Sequence, residues 1–313
     1  MARRLASLSV DLDTLPHYCR IHGLPESLLD EKARALVYAV AVPRLRELWA
    51  SLGVPGTFFA IGEDVAAPQA ARALREASEA GVEVASHSFA HDYALTRRPP
   101  EAIREDLRRA DEALRAATGT APVGFRAPGY TLSAALYAAT VERGYRYGSS
   151  AFPAAPYYAA KAAVMGGLAL VGRPSRAVLD TPRVLLAPRE PYRPDPESPY
   201  RRGSGAVLEL PMAVTPGVRF PFIGTFATTL PLAVVRTLYR ACRAEAFFNL
   251  ELHAVDVLGE EDGIPPELVR QQRDLRVPAA RKLERLRTVF SWLKEDYDVV
   301  TLHDAAAWLT RQV

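Results

Sequence analysis

Cysteine and long apolar runs are both scarce in this 313-residue chain. Its two cysteines, Cys19 and Cys242, lie too far apart in sequence to suggest a disulfide-stapled scaffold, so we expect reduced thiols. The most apolar segment, residues 162–172, falls well short of the ~20 residues that cross a bilayer, which leaves only peripheral membrane contact open. The first residues carry no apolar export segment, and we therefore expect a cytoplasmic protein.

An excess of one charge is lacking as well. The 39 basic and 36 acidic residues are spread along the chain and leave a formal net charge of +3, which argues against nucleic acid as a partner. By contrast, 49% of the residues are hydrophobic, which is enough for a packed core. The composition therefore indicates a globular protein.

The order of strand-like and helical patterns predicts a parallel α/β fold. Segments such as "LASLSVDLD", "TFFAIG" and "VEVAS" alternate with helical segments, among them residues 100–119, which begin at Pro100 and end at Gly119. The number of such units suggests a barrel of roughly seven or eight strands covered by helices. One of the helices, within residues 31–53, should break near Pro43.

A segment at about residues 151–205 interrupts this alternation. It is rich in proline, tyrosine and arginine, as in "PREPYRPDPESPYRRGSG", and we interpret it as an inserted cap within a single domain that spans residues 1–313. The sequence leaves its role open between a lid, a contact in a homo-oligomer and a surface for a lipid carrier phosphate.

Polar side chains follow several of the predicted strands. Asp11 and Asp13 close the first strand, His87 follows "VEVAS", Arg126 closes "VGFR", and His253 closes "FNLEL". Because functional residues of such barrels gather at the C-terminal ends of strands, one rim should collect all five residues.

The residue types on this rim suit a metal centre. Asp11 and Asp13 share one face of an extended chain, so one could bind a metal while the other stays free. His87 and His91 share a face if residues 88–91 make a helical turn. Two imidazoles and one carboxylate leave positions open for water and substrate, as a hydrolytic centre requires, although each piece alone also fits a capping or surface role.

The sequence resembles the polysaccharide deacetylases of the NodB-homology type. The resemblance rests on "SVDLD", "TFFAIG", "ASHSFAH", "FRAPGY" and "LELH", which occur in the family's order and cover most of the chain outside the insertion. It implies an irregular (β/α) barrel of about seven strands and a hydrolase that removes N-acyl or O-acyl groups, mostly from amino sugars, with one divalent metal ion. Zinc is the expected ion, with cobalt, nickel and manganese as alternatives.

The resemblance also implies roles for the motif residues. Asp11 becomes the catalytic base, Arg126 the group that orients and ionises it, and the metal ligands are Asp13, His87 and His91. Many relatives have two adjacent aspartates in the first motif, whereas one residue separates them here.

Further assignments concern the substrate side of the site. By the same resemblance His253 is the general acid, and a backbone N–H near Gly129 or Tyr130 holds the oxyanion, although Gly129 stands where an aromatic residue is common. Asp256 could orient His253 or simply belong to the loop. Two residues after the first motif could reach the metal or a sugar ring, or have a plain loop role: His17 and Tyr18.

The substrate stays open at this level. The lack of an export segment favours a cytoplasmic precursor, such as a nucleotide sugar or a lipid-linked glycan precursor, over mature polysaccharide. We expect the removal of an acyl group, in the first place acetyl, from an amino sugar. Deformylation of a lipid-linked amino sugar and hydrolysis of a cyclic amide or ureide are alternatives. A catalytically inactive glycan-binding barrel is the alternative of another class, and an iron-dependent oxygenase would leave Asp11 without a role.

Overall fold

The computed structural model describes residues 4–170 and 178–312, and its elements follow the predicted alternation. The strands in these residues are β1 (Leu5–Asp11), β2 (Thr57–Ala60), β3 (Glu83–Ser86), β4 (Gly124–Phe125), β5 (Tyr147–Gly148), β6 (Pro194–Asp195), β7 (Ser198–Arg202), β8 (Leu208–Glu209), β9 (Phe247–His253) and β10 (Asp298–Val299). The α-helices are α1 (Leu15–His22), α2 (Glu31–Leu36), α3 (Val42–Leu52), α4 (Pro68–Glu79), α5 (Pro100–Thr118), α6 (Ala134–Glu142), α7 (Ala155–Leu170), α8 (Gly224–Thr229), α9 (Leu232–Cys242), α10 (Pro266–Gln271), α11 (Ala279–Asp296) and α12 (Leu302–Leu309).

Parallel strands form one curled sheet. Neighbouring strands follow the order β9, β1, β2, β3, β4, β5, β8, while β10 pairs with the first residues of β1. The two ends of this path are linked where the Ala213 N–H donates to the Asn249 carbonyl oxygen at 2.9 Å, and where the Asn249 amide donates to the Leu210 carbonyl oxygen at 3.1 Å. The predicted irregular (β/α) barrel of about seven strands is confirmed.

Strand β1 shows how the sequence divides the barrel into two layers. All seven of its residues are buried, and β1 has a strand on each side. Leu8 and Val10 pack in the main apolar core, whereas Ser9 and Asp11, on the alternate face, make polar contacts with residues of other strands. Alternation along one strand thus places apolar residues under the helices and polar residues inside the barrel.

Two local expectations are wrong. The helix expected to break near Pro43 continues instead through a π-helical turn, Val37–Ala41, that joins α2 to α3 and in which the Val42 N–H donates to the Val37 carbonyl oxygen. The wider turn accommodates a proline that has no N–H to donate. The segment expected as a loop after β1 forms α1, which has Pro16 in its first turn and ends at Gly23 with a left-handed φ of 66°.

The interrupting segment is an insertion between two neighbouring strands. Since β5 pairs in parallel with β8, residues 149–207 form one long crossover that contains α7 and the antiparallel pair of β6 and β7. Part of the predicted cap, residues 171–177, lies outside the described residues, as does the end of the apolar 162–172 segment. Within residues 4–170 and 178–312, no helix has the length and apolarity needed to span a bilayer.

Trp49 on α3 provides a test of the packing between the helices and the sheet. Its side chain is 2% exposed, and its ring centroid lies 5.0 Å from that of Phe58 on β2. We expect Trp49→Ala to lower the free energy of unfolding by about 3–5 kcal/mol, because it leaves a cavity at this interface. Urea unfolding of the variant measures the loss.

Leu186→Ala is the matched control, because this side chain is 80% exposed and its truncation should change the free energy of unfolding by less than about 0.5 kcal/mol. Equal effects of the two substitutions would contradict the packing described here.

Candidate metal centre

The C-terminal ends of β1, β3, β4 and β9 meet at one end of the barrel. Asp11 and His253 are the last residues of their strands, and His87 and Arg126 directly follow theirs. Their side chains, with those of Asp13 and His91, lie close together as the rim argument predicted. A cavity of about 150 Å³ opens on this rim and is lined by Asp11, Asp13, Tyr18, Ile21, His87, His91, Tyr93, Gly129, Tyr130, Tyr157, Lys161 and His253.

Three ligand-type atoms face one another at the floor of this cavity. Oδ1 of Asp13 lies 3.4 Å from Nε2 of His87 and 3.1 Å from Nε2 of His91, and the two nitrogens are 3.2 Å apart. Four ligands placed tetrahedrally at ~2.0–2.1 Å from a zinc ion are ~3.3 Å apart, so the donor set fits such an ion. All three side chains are buried. A single proton shared among the three ligand atoms could form a hydrogen bond in only one of the three atom pairs, which leaves the other close pairs without one.

The protein holds both imidazoles in orientations that suit metal binding. His87 Nδ1 lies 2.8 Å from the carbonyl oxygen of Arg126, which leaves Nε2 as the free nitrogen. Burial lowers the pKa of His91 to about 4, so its ring is neutral at pH 7. The expected helical turn over residues 88–91 is absent, because Ser88 and His91 have left-handed φ values of 68° and 50°. Instead, the Ser88 hydroxyl accepts the N–H of His91 at 3.0 Å.

Asp11 is held by a buried arginine beside this cluster. Nη1 of Arg126 donates to Oδ1 of Asp11 at 2.6 Å, and Nη2 donates to the Ser9 hydroxyl at 2.8 Å. The guanidinium lies 4.0 Å above the ring of Phe59, and Arg126 is fully buried. Oδ2 of Asp11 is not bound by the arginine and lies 3.8 Å from Nε2 of His87.

A second carboxylate, which the sequence reasoning missed, orients His253. Oε1 of Glu251 lies 2.9 Å from Nδ1 of His253. Burial acts against protonation, but Glu251, together with the charges of Asp13 and Asp11, raises the pKa of His253 well above its ordinary value. Asp256 contacts the residue differently, since its Oδ2 accepts the backbone N–H of His253 at 2.9 Å. The signal was present in "LELH", where Glu251 and His253 share one face of β9.

Gly129 and Tyr130 approach the site in a strained turn. Their φ values are 67° and 63°, and a β-carbon at Gly129 would lie 2.7 Å from the ring of Tyr93. The Tyr130 N–H already donates to the Ala127 carbonyl oxygen at 3.0 Å, which leaves Gly129 as the backbone candidate for the oxyanion. The Tyr130 hydroxyl lies 3.3 Å from Oδ2 of Asp11 and 3.2 Å from Nε2 of His253.

The other two predicted residues lie on α1. His17 is buried, and its ring centroid is 4.7 Å from that of His91, while its Nδ1 lies 3.3 Å from Nη1 of Arg20. Tyr18 lines the cavity. Both residues therefore lie beside the cluster of Asp13, His87 and His91, but neither adds a ligand atom to it.

A second group of potential ligands lies within the described residues, formed by Asp11, Glu251 and His253. Here the guanidinium of Arg126 already compensates Asp11, and the imidazole of His253 already pairs with Glu251. An additional cation would have to compete with both pairs. The cluster of Asp13, His87 and His91 is consequently the better candidate for a metal ion.

Comparison with known proteins agrees with the fold and the motifs. Residues 37–148 match the family model for polysaccharide deacetylase, a range that includes His87, His91 and Arg126. A peptidoglycan deacetylase of Helicobacter pylori is 26% identical over 158 residues, which cover 49% of this chain and 52% of that protein. The chain thus spans about half the length of this curated relative.

Two solved structures share the fold. One, from Mycobacterium smegmatis and described as a polysaccharide deacetylase, has a TM-score of 0.62 at 20% identity and covers 100% of this chain and 92% of that one. A pseudoenzyme of carbohydrate esterase family 4 from Bacillus anthracis has a TM-score of 0.51 at 12% identity, with 97% and 66% covered. The family model confirms the resemblance found in the motifs over residues 37–148, and the solved structures share the fold.

Proposed function

We propose that this protein is a metal-dependent hydrolase that removes an N-acyl group, in the first place acetyl, from an amino sugar or an amino-sugar-containing glycan precursor. The observation that carries the proposal is the cluster of Asp13, His87 and His91, whose ligand atoms lie 3.1–3.4 Å apart beside the carboxylate of Asp11. The relative from Helicobacter pylori, described as a peptidoglycan deacetylase, supports an acylated amino sugar as substrate.

The residues around the cluster divide the chemistry among them. A divalent ion held by Asp13, His87 and His91 would polarise the acyl carbonyl and acidify a water molecule. Asp11, fixed by Arg126 through Oδ1, accepts the proton of the attacking water at Oδ2. The N–H of Gly129 donates to the developing oxyanion.

The departing amine receives its proton from the opposite wall. Glu251 raises the pKa of His253 and so favours the protonated imidazole, which donates its proton to the leaving nitrogen. The cavity of about 150 Å³ suits a small acyl group and does not separate formyl from acetyl. Deformylation of an amino sugar is therefore the second candidate, and the acid that is released decides between the two.

An inactive glycan-binding barrel would use the same fold, as the pseudoenzyme from Bacillus anthracis illustrates. In this chain the base, its arginine, the three ligand-type residues and the paired histidine all remain in contact. A catalytic site is therefore the better explanation. Release of acetate or formate from a panel of N-acylated amino sugars, absent after chelation and restored by zinc or cobalt, tests the proposal; bound metal without any release would contradict it.

Asp11→Asn tests the role of the base. We expect metal binding to persist while turnover falls by at least about a hundredfold, since the amide cannot accept the water's proton. Acid release and metal content are measured on the same preparation. Glu295→Gln, the same chemical change on an exposed residue, should leave both unchanged. Wild-type turnover in Asp11→Asn would remove this residue from the mechanism.

His91→Ala tests the ligand set without reference to turnover. Calorimetric titration with zinc should show one site in the wild type and an affinity more than about 100-fold weaker in the variant, because one of the three protein ligands is gone. His22, whose Nε2 lies 3.0 Å from Oε1 of Gln272, supplies the control His22→Ala. Undiminished affinity in His91→Ala would show that the ion is held elsewhere.

A further inference from the structure

A lysine of the inserted cap lines the cavity of the candidate metal centre. Lys161 and Tyr157, both on α7, border the cavity that Asp13 and His253 border from the barrel. A second, smaller recess of about 20 Å³ adjoins it and shares Lys161, Tyr157, Gly129 and Tyr130, and it continues to Asp180. Lys161 therefore lies where the two recesses meet.

Packed aromatic rings fix the position of α7 over the rim. The ring centroid of Tyr157 lies 5.1 Å from that of Phe152, which in turn lies 5.5 Å from that of Tyr130. On the next residue of α7, the Tyr158 hydroxyl donates to the carbonyl oxygen of Asp180 at 3.0 Å. These contacts tie the lysine to the residues that line the catalytic cavity.

The ammonium group of Lys161 is half-buried without a bonded partner. Across residues 4–170 and 178–312 it makes neither a hydrogen bond nor an ion pair. The carboxylate that influences it, Asp180, already accepts from the Tyr200 hydroxyl and from the Thr181 N–H. Burial lowers the pKa of Lys161, and Asp180 opposes this only in part. A cation in such surroundings is stabilised when an anion joins it.

The acidic groups of the cavity wall cannot supply that anion. Asp11 is bound to Arg126, and Asp13 faces the two imidazoles of its cluster. We propose that Lys161 binds an anionic group of the substrate, a phosphate or carboxylate attached to the amino sugar, while the acyl group lies at the candidate metal centre. The position of the acyl group at the candidate metal centre rests on the proposed function, whereas the anion site itself does not.

Equilibrium binding tests the anion site without any turnover. Calorimetry compares glucosamine 1-phosphate, muramic acid and methyl glucosaminide, which carry a phosphate, a carboxylate and no anion, and none of which has an acyl group to release. We expect the wild type to bind one of the two anionic sugars about tenfold or more tightly than the neutral one. The preferred sugar identifies the anion as phosphate or carboxylate.

Substitutions then assign the preference to one side chain. Lys161→Gln should reduce it to less than about twofold, and Lys161→Arg should retain most of it, because only the charge is essential. Lys32→Gln, which removes the same charge from an exposed position, serves as the control and should keep the full preference. A preference that survives Lys161→Gln, no preference in the wild type, or no binding of any of the three sugars overturns the inference.

The outcome separates this inference from the proposed function. Anion preference lost in Lys161→Gln, together with no release of acid from any acylated sugar, would support the anion site and contradict the hydrolase. Acid release without anion preference would support the hydrolase and contradict the anion site.

Discussion

The buried guanidinium of Arg126 connects most of the structure on which the candidate site depends. It bonds to Asp11 and Ser9 of β1 and to the hydroxyl and carbonyl oxygens of Ser149 after β5, and it stacks on Phe59 of β2. The backbone carbonyl oxygen of Arg126 also accepts a hydrogen bond from Nδ1 of His87. One residue directly after β4 thus joins the elements that carry the proposed base, Asp11, and one proposed metal ligand, His87.

Burial of the Arg126 charge costs free energy, which its bonding partners offset. A fully buried cation is costly unless its charge and its N–H groups are satisfied, and here Asp11 supplies the charge while Ser9 and Ser149 accept the remaining donors. The same contacts make Asp11 a carboxylate with one occupied oxygen and one that faces the cavity. The same ion pair therefore satisfies the buried guanidinium and orients the carboxylate that we propose as the base.

Much of this arrangement could be predicted from the sequence. The alternation of strand-like and helical segments indicated the barrel, and the polar residues at the ends of several strands placed Asp11 and His253 on the same rim. The turn at His91 was expected to be helical, because spacing alone cannot show that residues 88–91 include two left-handed conformations. Glu251 was missed because its position two residues before His253 fixes only a shared strand face, and only the fold shows that it pairs with the imidazole.

The composition of the sequence identified the cap but did not indicate the cap's function. Proline and arginine marked an insertion, whereas the position of Lys161 depends on how α7 packs through Tyr157 and Phe152 onto Tyr130. Such a long-range contact leaves no local pattern in sequence. The barrel therefore supplies most of the polar groups of the cavity, and the inserted helix adds the charge of Lys161.

The most direct test of the metal centre is an anomalous difference map from crystals of the protein grown or soaked with zinc or cobalt. The account predicts one strong peak within about 2.0–2.3 Å of a carboxylate oxygen of Asp13 and of Nε2 of both His87 and His91. A peak between Asp11, Glu251 and His253 would contradict it. So would a map in which a metal ion is fully occupied elsewhere in the crystal and no peak lies on this rim.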